Sequence, residues 1–193
     1  MSRTLTPELV VAAYCRGVFP MADPDEGDEI YWYRPDPRAI LPLDAFHIPR
    51  NLRRTVRRGT FEVTFDRAFE RVMRACADRE STWISEEIVR TYALLHRAGL
   101  AHSVECWIGE ELAGGLYGVA LRGAFFGESM FHSVTDASKV ALVHLVNRLR
   151  AGGFKLLDVQ YATPHLAQFG IVEIPASEYE RRLAEALAVD AKW

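Results

Sequence analysis

The chain has 193 residues, of which 49% are hydrophobic and 25% charged, and a formal net charge of −3. These values are typical of a globular protein and exclude a fibrous, repetitive or disordered chain. No run reaches roughly 18 apolar residues, and residues 1–7 lack the apolar region of a secretory signal. Three widely spaced cysteines do not predict a disulfide framework. We therefore expect a soluble cytoplasmic protein that does not enter a membrane.

The net charge hides an uneven distribution along the chain. Residues 30–74 contain ten arginines and five acids, whereas residues 23–29 contain five acids in seven positions. Such asymmetry favours an anionic partner for the basic segment.

In chain order, the first predicted element is a helix over residues 7–16, which Thr6 caps and Gly17 ends. Residues 18–21 are apolar and precede the acidic loop. An aromatic strand at 30–33 leads into a rigid turn with two prolines, because proline fixes φ and restricts its predecessor. A short strand at 39–41 and a helix at 49–58 complete a small N-terminal domain, which we place at residues 1–59.

Residues 60–193 alternate between helical and strand patterns. The pattern predicts strands at 61–65, 102–108, 111–121, 124–126, 155–160 and 171–173. Helices are predicted at 66–78, 85–98, 135–151, 164–169 and 175–188. Consecutive strands in the middle form an antiparallel meander, so we expect an α+β fold with helices on both faces of a mixed, largely antiparallel sheet.

The helix at 49–58 carries five arginines on one face. Their spacing is i, i+3, i+4, i+7 and i+8, and no acid occurs between residues 45 and 61. The five are Arg50, Arg53, Arg54, Arg57 and Arg58. This pattern favours binding to the phosphates of a nucleic acid. The alternative is a solvated face that pairs with Asp44, Glu62 or the acidic loop.

A glycine-rich region, Gly114–Gly118, is followed by Gly127-Glu128-Ser129 in an otherwise apolar strand pattern. Glycine weakens a strand, so several glycines indicate close approach by a ligand or by packed rings. A carboxylate in such a run must be paired or used, so Glu128 is either an active-site group or part of a buried ion pair.

The strand at 155–160 contains Asp158 and Gln160. A period of two places both on one face, where they could form a hydrogen-bonded chain toward a substrate. Alternatively, both satisfy loop backbone. The cysteines occupy apolar positions and the histidines are dispersed, so we expect neither a thiol nucleophile nor a metal site.

Several motifs, in this order, resemble those of the leucyl/phenylalanyl-tRNA–protein transferases of bacteria. They are Ala13–Pro20, Pro35–Arg38, Thr82–Ile84, His102–Glu105, Gly114–Val119, Gly127–Phe131, Ala137–Lys139, Leu157–Gln160 and Glu173–Pro175. The resemblance runs from about residue 5 to residue 183. One motif alone would be unspecific, but the ordered set is specific.

The resemblance implies an aminoacyltransferase of the bacterial degradation pathway for protein N-termini. Such enzymes transfer leucine, phenylalanine and sometimes methionine from aminoacyl-tRNA to an N-terminal Arg or Lys, which marks the acceptor protein for degradation. The resemblance also implies a catalytic domain similar to GNAT acyltransferases over residues 60–193. No cofactor is expected, since aminoacyl-tRNA is a co-substrate, and we expect a monomer.

The resemblance also implies roles for individual residues. Asp158 and Gln160 would form a proton relay with Gln160 nearest the attacking amine, and Glu128 would hold the amine or the terminal ribose. Trp83 would lie at the substrate-binding pocket and could stack on the terminal adenine. The residues expected to read the amino-acid side chain are Leu116, Phe126 and Met130, with Ser129 beside them. The arginines from Arg50 to Arg58 would bind acceptor-stem phosphates.

Two other functions are open to the residues alone. An acyl-CoA-dependent GNAT-type N-acyltransferase would need a glycine-rich pyrophosphate loop, but the helix at 135–151 begins with Thr135-Asp136. A non-catalytic RNA-binding module would explain the arginines but would leave Glu128 and the pair of Asp158 and Gln160 without a purpose. Within the family pattern, Met21 replaces a tryptophan found in many members, and Phe126 a cysteine found in several.

Overall fold

The computed structural model describes residues 4–193 as two sheets with helices packed around them. The helices are α1 (Pro7–Tyr14), α2 (Arg50–Arg58), α3 (Phe69–Ala77), α4 (Glu86–Arg97), α5 (Ala137–Gly152), α6 (Pro164–Ala167) and α7 (Ala176–Leu187). The strands are β1 (Phe19–Asp23), β2 (Glu29–Tyr33), β3 (Arg38–Ile40), β4 (Glu62–Phe65), β5 (Ala101–Ile108), β6 (Glu111–Leu121), β7 (Ala124–His132), β8 (Leu156–Gln160) and β9 (Val172–Ile174).

The large sheet has seven strands in the order β4-β5-β6-β7-β8-β3-β9. Neighbouring strands are antiparallel except β7 and β8, which are parallel. The predicted α+β class, with helices flanking a largely antiparallel sheet, is confirmed. Strands β1 and β2 form a separate antiparallel hairpin, whose tip carries the acidic loop.

Each face of the large sheet supports its own apolar core, as the period-two pattern of its strands requires. On β6, Tyr117 and Val119 face the core formed with α1, α3, α4 and α7, whereas Leu116 and Ala120 face the core formed with α2 and α5. The sheet is therefore the middle of three layers.

Local sequence accounts for most of the element boundaries. The Thr6 hydroxyl accepts a hydrogen bond from the Leu9 N–H, and Pro7 occupies the first turn of α1, where a missing N–H costs nothing. Gly59 and Gly153 end α2 and α5 in the left-handed conformation that glycine adopts without strain.

The structure departs from the predicted elements in three places. Residues 19–23 form strand β1, although only an apolar segment was expected there. Strand β7 continues to His132, well past the predicted end at residue 126. Strand β3 lies between β8 and β9 and thus belongs to the large sheet. The expected division at residue 59 stays a prediction, but residues 38–40 pack with the larger part of the chain.

Candidate active site

A cavity of about 440 Å³ opens where β7 and β8 diverge. The two strands pair only as far as Phe126 and Asp158, and both continue beyond that point. Apolar side chains from β6, β7, α5, β8 and α6 form most of its wall: Leu116, Met130, Leu142, Leu145, Leu157, Val159 and Leu166. Polar side chains at the cavity include Arg79, Glu128, Ser129 and Gln160. The cavity can therefore hold an apolar side chain beside a small set of polar groups.

A β-bulge places Glu128 at this cavity. Tyr117 pairs with Ser129 and Gly118 with Gly127, so Glu128 is the extra residue of β7 without a partner on β6. A Cβ at Gly118 would lie 2.3 Å from the Phe126 carbonyl oxygen, which only glycine at this position avoids. Bulges re-aim side chains next to active sites, and this one turns the Glu128 carboxylate out of the regular ladder.

Glu128 receives a hydrogen bond from a buried pair of tyrosines. The Tyr14 hydroxyl donates to Glu128 Oε1 at 2.6 Å and lies 2.7 Å from the Tyr92 hydroxyl. Burial, reinforced by the charge of Asp158, raises the pKa of Glu128 to about 8, against the lowering effects of Tyr14 and Arg38. Near neutral pH the carboxyl group is therefore close to its midpoint and can either accept or donate a proton.

Asp158 is fully occupied by partners on the opposite side from the cavity. Arg38 donates from Nε to Asp158 Oδ1 at 3.0 Å and from Nη2 to Oδ2 at 2.6 Å, and the Tyr179 hydroxyl donates to Oδ2 at 2.7 Å. Arg38 is 1% exposed, donates to the Gly17 carbonyl, and lies between the rings of Phe19 and Tyr179. This is a buried bidentate ion pair, whose removal on one side would leave an uncompensated charge.

Gln160 adopts a left-handed backbone conformation, with φ of +60°. Its N–H donates to Asp158 Oδ1 at 2.9 Å, and its buried side-chain Nε2 has no partner among the described residues. Such strain in a non-glycine residue persists only where surrounding contacts impose it, and here Asp158 imposes it. The site therefore holds an amide in the cavity with unused hydrogen-bonding capacity.

The prediction that Asp158 and Gln160 share one face is wrong, because the left-handed turn at Gln160 breaks the alternation. Gln160 lines the cavity with Leu157 and Val159, whereas Asp158 does not. Their contact joins the Asp158 carboxylate to the Gln160 backbone N–H and not to its side-chain amide. A proton relay between the two side chains stays a prediction.

The residues expected to form the amino-acid pocket divide into two groups. Leu116, Met130 and Ser129 line the cavity. Phe126 does not, because strand alternation turns it into the other core, where its ring lies 4.7 Å from that of Tyr14. Trp83 is also absent from the wall. It packs against that same core, and its carbonyl accepts a hydrogen bond from the Ala22 N–H of β1.

The five arginines of α2 are all exposed, as the sequence predicts. No carboxylate of residues 4–193 forms an ion pair with any of them, and Glu62 pairs with Arg67 instead. Helix α2 packs through Leu52 and Val56 into the same core as α5, which supplies one wall of the cavity. An unpaired basic face thus lies on the same side of the sheet as the apolar cavity.

Sequence reasoning missed the groups that hold the site together. Helical or strand periodicity does not show which side chains pair with an acid on another element. The residues missed for this reason are Arg38, Tyr14, Tyr92 and Tyr179. One signal was available for Arg38, since it directly follows the rigid Pro35–Pro37 turn. Pairing over 120 residues of sequence, as between Arg38 and Asp158, becomes visible only in the fold.

The described residues lack two kinds of feature. Across residues 4–193, no three His, Cys, Asp or Glu side chains come together as a candidate metal site. No helix in that range combines the length and apolarity that crossing a bilayer requires.

Comparison with known proteins places the chain in a family. The family description "Leucyl/phenylalanyl-tRNA protein transferase" matches residues 40–184, and the description of its N-terminal domain matches residues 3–36. The chain belongs to the leucyl/phenylalanyl-tRNA–protein transferase family. The two matches leave out residues 37–39, which are the last residue of the Pro35–Pro37 turn and the first two residues of β3.

Members of the transferase family from three bacteria are similar over nearly the whole chain. The protein of Salinibacter ruber is 61% identical, over 100% of this chain and 85% of its own length. That of Rubrobacter xylanophilus is 62% identical over 96% and 97%, and that of Gloeobacter violaceus is 60% identical over 98% of each. All three are named leucyl/phenylalanyl-tRNA–protein transferases, which confirms the resemblance drawn from the motifs.

Solved structures give weaker matches. L-PGS from Bacillus licheniformis aligns with a TM-score of 0.47 and 14% identity, over 92% of this chain and 68% of that one. A ribosomal-protein-alanine N-acetyltransferase from Brucella melitensis aligns with a TM-score of 0.39 and 14% identity, over 69% and 94%. At TM-scores below 0.5 these likenesses carry no weight for the function.

Proposed function

We propose that the protein is an aminoacyltransferase that moves leucine or phenylalanine, and methionine as a third donor residue, from aminoacyl-tRNA to proteins with an N-terminal Arg or Lys. A new peptide bond forms, and the added residue marks the acceptor for degradation. The observation that carries the proposal is the apolar cavity with Glu128 and Gln160 on its wall, in a chain of this family. We further propose that it acts in the cytoplasm as a monomer and without a cofactor.

The apolar wall supports selection of the donor amino acid. Leu116, Met130 and Leu145 offer only hydrocarbon and thioether surface, so a polar side chain would lose its hydrogen bonds to water on entry. An apolar pocket discriminates weakly between side chains that differ by a methylene group. The pocket should therefore accept two or three kinds of donor amino acid.

The chemical step needs orientation and proton transfer but no covalent enzyme intermediate. The acceptor α-amine attacks the ester carbonyl, the new C–N bond forms, and the C–O bond to the terminal ribose breaks. The amine loses a proton and the ribose oxygen gains one. Gln160 is placed to orient the amine or the carbonyl, and Glu128 to hold the amine or the ribose hydroxyl and exchange the proton.

The arginine face of α2 supports the tRNA side of the proposal. Five guanidinium groups without carboxylate partners are free to contact phosphates, and each phosphate contact releases a counterion. Because α2 packs on α5, the acceptor stem would lie beside the cavity that receives its aminoacylated end.

The test is transfer of labelled leucine from Leu-tRNA to a peptide that begins with Arg. Mass spectrometry should locate the added leucine on the N-terminal arginine, and the same peptide with a blocked N-terminus should remain unchanged. Acetyl-CoA, offered as the donor instead, should give no product. Absence of transfer beside an active family member, or efficient transfer from acetyl-CoA, would overturn the proposal.

Two variants separate chemistry from tRNA binding. Gln160→Ala should abolish transfer while tRNA binding persists, because Gln160 lines the cavity and the α2 arginines do not. Arg53→Ala combined with Arg54→Ala should weaken tRNA binding. The magnitude of the slope of log affinity against log salt should fall by roughly two units, about one for each lost phosphate contact. If both variants behaved alike, the assignment of these roles would be wrong.

A further inference from the structure

One cation at the cavity has no role in the scheme above. Arg79 follows the C-terminus of α3 and lines the cavity with Glu128 and Ser129. It is exposed to solvent, whereas Glu128, Ser129 and Gln160 are partly or fully buried. Its sequence neighbours Asp78 and Glu80 form no ion pair with it, and neither does any other carboxylate of residues 4–193.

The protein holds this guanidinium in place while leaving most of its donors free. Nε donates to the Cys76 carbonyl at 2.7 Å, and Nη2 donates to Ser129 Oγ at 3.1 Å. An arginine has five N–H donors, so three remain available after these two contacts. Both contacts go to neutral oxygens, which leave the positive charge uncompensated. A fixed, unneutralised guanidinium of this kind fits an oxyanion with two oxygens in one plane.

The chemistry of the donor substrate supplies such an oxyanion near the cavity. This step rests on the proposed function. When the apolar side chain fills the cavity, the ester and its ribose must lie at the polar groups, next to Glu128 and Ser129. The nearest anion of an aminoacyl-tRNA is then the phosphodiester on the 5′ side of the terminal nucleotide, one ribose away from the ester.

The structure assigns Arg79 to the binding of this terminal phosphodiester. The contact differs from those of the α2 arginines, which lie on a separate helix and would meet the stem. Arg79 would set the position of the reactive ester relative to Glu128, since Ser129 links the guanidinium to the bulge. Arg79 is a substrate-binding residue. Its contact should therefore contribute to the binding of even the shortest donor that contains this phosphate.

The test compares two minimal donors at a fixed concentration of Arg-initiated peptide. One is 2′(3′)-O-phenylalanyl-adenosine, and the other is the same ester carrying a 5′-methyl phosphodiester. For the unaltered protein, the phosphodiester should lower KM about tenfold, as a charge-assisted hydrogen-bonded pair does. In Arg79→Gln this ratio should fall to within about twofold of unity, and Arg79→Lys should keep part of the ratio.

Arg74→Gln is the matched control, because Arg74 is an exposed arginine of α3 that pairs with Glu86 and does not line the cavity. It should keep the full ratio, as should Arg53→Ala with Arg54→Ala. If the unaltered protein transferred from intact Leu-tRNA but showed equal KM for both esters, the assignment of Arg79 would be overturned and the proposed function would stand. An unchanged ratio in Arg79→Gln would have the same consequence. Absence of transfer from Leu-tRNA itself would instead remove the proposed function, and this assignment with it.

Discussion

Glu105 on β5 and Glu128 on β7 flank the same strand, yet their surroundings are opposite. Glu105 is 0% exposed and accepts hydrogen bonds from the Thr64 and Ser103 hydroxyls and from the Arg67 and Ala68 N–H groups. Glu128 accepts one, from Tyr14, and faces the cavity. The Glu105 carboxylate links β4, β5 and the start of α3 through its hydrogen bonds. The Glu128 carboxylate can still accept hydrogen bonds from a substrate.

The difference shows how a buried acid can be assigned a role from its partners. A carboxylate whose oxygens are all satisfied by the protein has nothing left to offer a ligand, whereas one with spare capacity and a raised pKa is poised for chemistry. Asp158 belongs to the first kind, although the family resemblance groups it with Glu128. Four predictions test this division.

The largest effect is expected from Arg38→Met, which removes the partner of Asp158. An unpaired buried carboxylate should lower the free energy of unfolding by about 3–5 kcal/mol and release Gln160 from its left-handed backbone, so that transfer is lost as well. Urea denaturation and transfer assays measure both. Arg34→Met is the control, because the exposed Arg34 pair with Glu180 should contribute about 1 kcal/mol or less. Equal stability of the two variants would refute the structural role of Asp158.

Glu128→Gln should reduce kcat/KM for transfer by about 100-fold, which corresponds to about 2.7 kcal/mol of transition-state stabilisation. Tyr14 can still donate to the amide oxygen, so the free energy of unfolding at neutral pH should stay the same or rise. Steady-state transfer kinetics and urea denaturation are the measurements. Retention of full activity would place Glu128 with Glu105 as a structural acid.

Glu105→Gln should lower stability and leave transfer unchanged, the opposite of Glu128→Gln. The amide offers one acceptor oxygen where the carboxylate offers two, so buried donors lose their partner and the free energy of unfolding should fall by about 2 kcal/mol. Transfer per folded molecule should remain at its original level, because Glu105 does not line the cavity. A large loss of kcat without loss of stability would contradict the comparison.

Over a single pH unit, the smallest effect is the pH dependence of stability. Because the pKa of Glu128 is raised to about 8 in the folded protein, the folded state holds its proton more tightly than the unfolded state. Its contribution to stability is present below the unfolded pKa and declines as pH rises to about 8, by at most about 1.4 kcal/mol per pH unit. Subtracting the pH profile of Glu128→Gln from that of the unaltered protein isolates this slope. A difference that is flat between pH 5 and 8 would show that Glu128 is ionised throughout.

The sequence predicts nearly all helices and strands because each depends on local signals. The Arg50–Arg58 face follows from helical spacing, and the importance of Glu128 follows from a carboxylate within an apolar strand. What local signals do not contain is the pairing of β3 with β8, the bulge at Glu128 and the left-handed turn at Gln160. These depend on contacts between distant segments, and they decide which side chains reach the cavity, so Phe126 and Asp158 were misplaced while Leu116 and Met130 were not.

The position of β3 has a consequence for how the chain folds during synthesis. This strand is made early but is inserted between β8 and β9, which are made much later. The large sheet therefore cannot be completed until β9 has been made, and its slowest step should be a long-range closure. Arg38, on that strand, brings Gln160 into place only then. A nascent chain that does not yet include β9 would thus lack the completed site.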